Sequence, residues 1–250
     1  MSGRTAAPKS AADAPPSAAV VALFDSLADP DDPELISMEG LQSLGDKVGL
    51  DASSDVKFLV LLWKLGAGSK PGCVTRTEFY KGMRTMRKES LDALRQMIPS
   101  LDPGFLERAE FRDYYKFVFQ FSREGTRKSI GSSSTASPIC PLILRLGKNK
   151  LTPSPPLPFT PKPYAEKDLV VGLMQIVLDR DRTPHLDLFI EFLQTAQKPD
   201  LLVSSDQWDS FLQFNQLVEV DLKNYDEDNA WPLLLEEYVA WRRETKKDPN

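Results

Sequence analysis

The chain has 250 residues, 41% of them hydrophobic and 27% charged, a composition that allows a sizeable core in one large or two small domains. Its formal net charge is −5, and no Lys/Arg stripe accompanies the aromatic residues, which argues against nucleic acid as the main partner. Cys73 and Cys140 are too few for a disulfide framework or a four-cysteine zinc site, and no run approaches the roughly 18 apolar residues of a membrane span. A reducing intracellular setting, cytoplasm and/or nucleus, with no membrane and no cofactor, is the expectation.

Residues 1–19 are rich in Ala, Pro and Ser and read as a disordered tail without the apolar segment of a secretory signal or a Met-Gly start for myristoylation. The fold is expected to begin near Val20, with Ala22, Leu23, Phe24 and Leu27 in a short helix. The stretch Asp29–Gly40 has the spacing of an EF-hand loop if Ile36 is its apolar eighth residue. Asp29 and Asp31 then hold ligand positions, but Pro33, Glu34 and Gly40 replace the fifth ligand, the turn glycine and the final glutamate. Thirty-eight residues on, Val74 anchors a second such loop, with Gly72 and Glu78 in place but Ala67, Ser69 and Pro71 where oxygen ligands belong. Neither loop is expected to hold calcium.

Between the loops, Val56–Leu65 is apolar almost all round; flanking signals favour a buried helix over a buried strand. Thr75 with Glu78 forms a capping box opening a helix that carries Phe79, Met83 and Met86. Ser90 caps another, with Leu91, Leu94, Met97 and Ile98, stopped by Pro99. Phe111–Phe121 reads as helix by context, although Phe117, Phe119 and Phe121 alternate as in a strand. Residues 131–165, with eight prolines and a Ser-rich start, read as a loop or disordered insert. Helical patterns resume at Asp168–Leu178 and Leu186–Leu193, and a Ser204/Gln207 capping box opens a helix burying Trp208, Phe211, Leu212, Phe214 and either Leu217 or Val218. Asn224–Trp241 is an acidic turn, a Trp-Pro step and an apolar face of Trp231, Leu234, Leu235, Tyr238 and Val239. Residues 242–250 are expected as a solvated tail. The fold class is all-α: two degenerate EF-hand-like helix pairs followed by a C-terminal helical subdomain.

Catalytic signals are weak. The single histidine, His185, follows Pro184 in a turn and reads as a surface or packing residue rather than a base. The glycines of Gly66–Gly72 lack the Gly-Lys-Ser/Thr ending of a phosphate loop. Adjacent Glu236 and Glu237 point about 100° apart on a helix and do not make an acid/base pair.

The stretch from Asp206 to Trp241, with its Asp-x-Trp start, Asn-Tyr-Asp-Glu turn and Ala-Trp-Pro step, closely resembles the potentiating-neddylation domain of the defective-in-cullin-neddylation family. Upstream, Met38–Leu44, Leu61–Leu65, Glu78-Phe79 and Phe117–Phe121 extend the resemblance, so residues 20–241 read as one such domain interrupted by 131–165. The resemblance implies a non-catalytic co-ligase scaffold within cullin-RING ligase complexes, one that binds a cullin C-terminal winged-helix region and the N-acetylated N-terminus of the neddylation conjugating enzyme. The cullin-binding patch maps to Asp206, Ala230 and Glu236, the last usually Asp in the family. The acetyl-methionine pocket maps to Met38, Leu41, Phe58, Leu61, Leu62, Leu65, Val74, Phe121, Leu173 and Ile176. Family members often carry Tyr at Leu173, Phe at Val74 and Cys at Gly72. In the family pattern Ile130 would run almost directly into Glu166, which marks 131–165 as an insertion. An EF-hand-like interaction or calcium-sensor module is the alternative reading.

Overall fold

The first helix, α1 (Ala18–Asp25), starts where the Ser17 hydroxyl accepts the Val20 amide, and it buries Val20, Leu23 and Phe24. It therefore begins two residues before Val20. The structure is a computed structural model that describes residues 15–52, 55–70, 72–122, 165–197 and 201–245. The N-terminal tail up to residue 14 and all of the 131–165 insert except Ala165 lie outside the described residues.

After α1 the chain makes the short strand β1 (Leu35–Ile36) and helix α2 (Met38–Val48), closed by Gly49 in the left-handed conformation. Helix α3 (Val56–Leu65) is capped by the Asp55 carboxylate and leads to β2 (Val74–Thr75) and α4 (Arg76–Thr85). The two strands pair antiparallel, Leu35 with Thr75 and Ile36 with Val74, so the loops preceding them lie side by side. Ile36 and Val74, the eighth residues in the loop register, are fully buried. The α4 capping box is complete, with Thr75 and Glu78 each accepting the other's backbone amide. Gly82 lets α4 approach the end of α3: a Cβ there would lie 2.4 Å from Leu65 Cα and 2.5 Å from its carbonyl oxygen.

One guanidinium ties this half together. Arg76 donates from Nε to Glu34 (2.8 Å), from Nη1 to Asp25 (2.7 Å) and Tyr80 (2.8 Å), and from Nη2 to the Pro33 carbonyl (2.7 Å), with its plane over the Phe24 ring. Helix α1, the first loop and α4 thus share one cation whose fixed fork matches several acceptors at once.

Helix α5 (Leu91–Met97) is capped by Ser90 and gives way to a 3₁₀ turn containing Pro99. Helix α6 (Arg108–Ser122) settles the ambiguity of its aromatic run: Phe111, Tyr114, Tyr115, Val118 and Phe119 are buried at the i, i+3, i+4, i+7, i+8 spacing of a helix face. It packs on α3, on α7 (Ala165–Val177) and on α9 (Ser205–Leu217). The junction with α9 is a reciprocal lock in which Tyr115 and Trp208 stack at 4.3 Å. Tyr115 Oη donates to the Trp208 carbonyl, and Trp208 Nε1 donates to the Tyr115 carbonyl, each at 3.0 Å.

Helix α8 (Leu186–Thr195) and helix α10 (Leu233–Thr245) complete the C-terminal half. Val218, rather than Leu217, is the buried residue at the end of α9. Helix α10 runs past Trp241 to Thr245, and Arg242, expected in a solvated tail, is 4% exposed. The reason is spacing, since Arg242 lies one turn after Tyr238 and its guanidinium reaches the Tyr238 hydroxyl and the Val220 carbonyl. The described residues are otherwise all-α, with the two-residue ribbon their one sheet.

Candidate functional site

Three local arrangements bear on function. The first lies at the N-terminal turns of α9 and α10. Ser204 accepts the Gln207 amide (3.1 Å) while the Gln207 side chain accepts the Ser204 amide (2.8 Å), and this box sets Asp206 on the exposed first turn of α9. Two residues later, fully buried Trp208 anchors the turn against α6.

Ala230 stands in the turn between α9 and α10. Asp226 organises this turn by accepting the Asp228 amide, and Asn224 spans its base, accepting the Glu219 amide and donating to the Leu217 carbonyl. Trp231 packs edge-on against Phe214 at 5.3 Å, so Ala230 beside it is held outward and exposed. Pro232 precedes α10 rather than lying inside it, and its carbonyl accepts the amides of Leu235 and Glu236. Glu236 is exposed on the first turn, an acid favoured by the helix dipole. Burial first, and the Glu236 charge second, push the Tyr225 phenol up, which sets Glu236 beside the turn. The Asp206 and Glu236 side chains make no ion pair or hydrogen bond with another described residue, so both carboxylates are available to an outside cation.

Between these turns runs a depression of about 340 Å³. Leu201, Leu202 and Gln207 line one side and Leu233, Leu234 and Glu237 the other, and Gln197 donates to Glu237 (2.8 Å). Leu202 and Leu233 are 60% and 65% exposed. The face therefore combines uncompensated carboxylates with apolar side chains in solvent.

The second arrangement is the apolar ensemble. Met38 and Leu41 come from α2, Phe58, Leu61, Leu62 and Leu65 from α3, Val74 from β2, Phe121 from α6, and Leu173 and Ile176 from α7. All ten belong to one continuous core. Eight are at most 2% exposed; Met38 and Ile176 are half-buried. The Gly72 amide donates to the Phe121 carbonyl (3.1 Å), joining the second loop to the end of α6, and Gly72 has φ of 70°, a conformation that suits glycine.

The third is the second loop itself. Glu78 Oε1 accepts the Gly68 amide (2.9 Å), the Ser69 amide (2.8 Å) and the Ser69 hydroxyl (2.6 Å), while Oε2 accepts the Thr75 amide (2.9 Å) and hydroxyl (2.8 Å). Burial pushes this carboxyl up, but the Ser69 hydroxyl and the amides of Thr75, Gly68 and Ser69 together outweigh it and bring it down to about 2. Both oxygens that a loop cation would take as a bidentate ligand are already spent on the protein. Among the described residues no cluster of three His, Cys, Asp or Glu could hold a metal ion.

His185 is a packing residue, fully buried at the start of α8. Burial first, and the Arg242 charge as well, lower its pKa below 6.5 despite the opposing bond to the Val218 carbonyl. Its environment has no signature in the sequence, because its partners Asn215, Val218 and Tyr238 stand 30 to 53 residues away.

The architecture defines an all-α domain, built on two ribbon-linked helix pairs and ending in an exposed acidic and apolar face. The family model for cullin binding matches residues 93–241, more than half of the chain, and the chain belongs to that family. It is 29% identical over 211 residues to DCN1-like protein 4 of Danio rerio, covering 84% of this chain and 61% of that protein. Over 223 residues it is 27% identical to DCN1-like protein 5 of Homo sapiens, covering 89% and 76%, and over 218 residues 27% identical to DCN1-like protein 3 of Rattus norvegicus, covering 86% and 59%. The chain thus spans about three-fifths of the length of two of these relatives. No helix among the described residues is long and apolar enough to cross a membrane.

Proposed function

We propose that this chain is a non-catalytic co-ligase scaffold for cullin neddylation. The observation that carries the reading is the cullin-binding match over 93–241, which contains all of the face bearing Asp206, Ala230 and Glu236. Two exposed carboxylates without partners among the described residues suit Lys or Arg side chains on a cullin winged-helix region, with the small side chain of Ala230 in the turn between their helices. Glu236 keeps the charge of the family's usual Asp at one methylene greater reach.

The second ligand is the N-acetylated first methionine of the neddylation conjugating enzyme, received by the apolar ensemble with Met38 and Ile176 at its solvent edge. Burying a methionine side chain contributes roughly 1.5–3 kcal/mol. Drawing an unpaired α-ammonium among these residues costs several kcal/mol, so acetylation is required. The chemistry resides in the partners, and the scaffold supplies proximity and orientation of donor thioester and acceptor lysine.

The test is calorimetric binding of the full chain to a cullin C-terminal fragment and to acetylated and free conjugating-enzyme peptides. Asp206→Arg should abolish cullin binding and leave peptide binding unchanged, and only the acetylated peptide should bind. Equal affinity for both peptides overturns the pocket; cullin binding unaffected by Asp206→Arg overturns the patch.

A further inference from the structure

The bend after α9 is held from inside by a hydrogen-bond relay whose direction can be read atom by atom. His185 Nε2 lies 3.1 Å from the Val218 carbonyl, and its Nδ1 lies 3.2 Å from Tyr238 Oη. Arg242 Nη1 donates to the same hydroxyl (3.1 Å) and Arg242 Nη2 to the Val220 carbonyl (3.0 Å). His185, Tyr238 and Arg242 are all buried.

A carbonyl only accepts, so Nε2 must carry a proton. The Tyr238 oxygen already receives the arginine, so its own proton points to Nδ1, which must be bare. The other neutral tautomer would set the Nε2 lone pair against the Val218 oxygen and leave the tyrosine proton without an acceptor. The doubly protonated ring would crowd two donors on Tyr238 and add a second positive charge near Arg242. One protonation pattern accounts for all four of these contacts: Arg242 to Tyr238 to His185 to Val218, with Arg242 also holding Val220. The His185 amide further donates to Asn215 (2.9 Å), whose own amide bonds the Phe211 carbonyl (2.8 Å) within α9.

The consequence falls on the backbone. Val218 is the C-cap of α9 and Val220 follows two residues on, and Leu222 just beyond takes a left-handed φ of 61°, unusual for a leucine. From this bend the chain runs to Ala230. We infer that His185, as the neutral Nε2–H tautomer, and Arg242 are positioning residues that fix the bend and so set where Ala230 stands relative to the helices bearing Asp206 and Glu236. The effect on partner binding rests on the proposed cullin reading; the effect on the bend does not.

The test uses the full chain. With one histidine in the sequence, long-range ¹H–¹⁵N spectra give one set of ring signals, expected as protonated Nε2 and unprotonated Nδ1. His185→Phe keeps an aromatic ring, somewhat larger than imidazole, and removes both bonds; His185→Gln restores an N–H for Val218. Hydrogen exchange at Leu222 and Tyr225, whose amides bond within the bend to Glu219 and Leu222, is the backbone readout. His185→Phe should raise exchange at these amides about tenfold, leave those of α1–α4 within about twofold, and weaken cullin-fragment binding about tenfold. His185→Gln should recover most of both losses. If His185→Phe does not fold, Arg242→Gln, which releases Val220, should give the same local pattern. A protonated Nδ1 in the wild-type chain overturns the tautomer. Exchange that rises uniformly, or not at all in the bend, overturns the positioning role. A wild-type chain that fails to bind the cullin fragment defeats the proposed function alone, since spectra and exchange still decide the bend.

Discussion

Replacing Glu78 by Gln exchanges one oxygen for an amide while preserving shape, and the structure fixes what is lost. Oε1 can keep its three donors from Gly68 and Ser69, but the new amide faces the Thr75 N–H and hydroxyl, so the capping box at the head of α4 is broken. A carboxyl held at about 2 against 4.5 corresponds to about 3.4 kcal/mol favouring the charged form. Solvent reaches this half-buried group, and about 1–2 kcal/mol is the working figure after screening. For a chain of this size that lowers Tm by about 2–8 °C at pH 7. Because the folded pKa is depressed, the contribution is present above pH 4.5 and is lost as pH falls towards 2. The difference between wild type and Glu78→Gln should therefore shrink through that window. Thermal unfolding by circular dichroism at steps from pH 7 to pH 2.5 measures both effects. Millimolar Ca²⁺ should leave the wild-type Tm unchanged, since the bidentate ligand is already engaged. A variant with wild-type Tm at pH 7, or a calcium-dependent rise in wild-type Tm, would refute the reasoning.

Gly82→Ala places a methyl against the Leu65 backbone, and with overpacking costs of about 1–3 kcal/mol it should lower Tm and weaken the acetylated peptide, because Leu65 lines the proposed pocket; unaltered Tm and affinity would show that α4 withdraws freely. Tyr115→Phe keeps the stack on Trp208 but removes the hydroxyl's bond to the Trp208 carbonyl, which keeps only its place in the α9 backbone ladder, costing about 0.5–1.5 kcal/mol in urea unfolding; an unchanged unfolding free energy would mean that this bond adds nothing beyond the stack. Burial lowers the His185 pKa, so its folded form binds fewer protons than the unfolded one below pH 6.5. Stability should be full above that pH and decline as pH falls below it, with His185→Gln flattening the decline; an identical slope in the variant would exclude His185 as its source.

Much of the fold was legible because its signals are local. The capping boxes at Thr75/Glu78 and Ser204/Gln207 and the apolar run of α3 each declare themselves within a few residues, whereas the aromatic run of α6 reads as helix only from its neighbours. The acidic turn was readable in the same way, through Asn224 and Asp226. What the sequence hides is the second partner of a residue that already has a local role. Glu78 reads as a cap, yet it also gathers Gly68 and Ser69. Arg76 carries no sequence signal of its own, yet it binds Asp25 and Glu34 more than forty positions away. Arg242 reads as the start of a charged tail, and only the fold shows that the Val220 carbonyl lies within its reach. Asp206 and Glu236, by contrast, have no partner among the described residues, and only the family resemblance singles them out.

The two loops of the N-terminal half are fastened by groups that the chain carries with it. A diffusible ion occupies a site in proportion to its concentration, whereas a covalently attached carboxylate or guanidinium is present at an effective concentration fixed by the fold. Arg76 on the first loop and Glu78 on the second convert what could be an occupancy-dependent hinge into a permanent joint. The apolar ensemble resting on Ile36, Val74 and Leu65 is thereby kept in one state at every resting or signalling level of calcium.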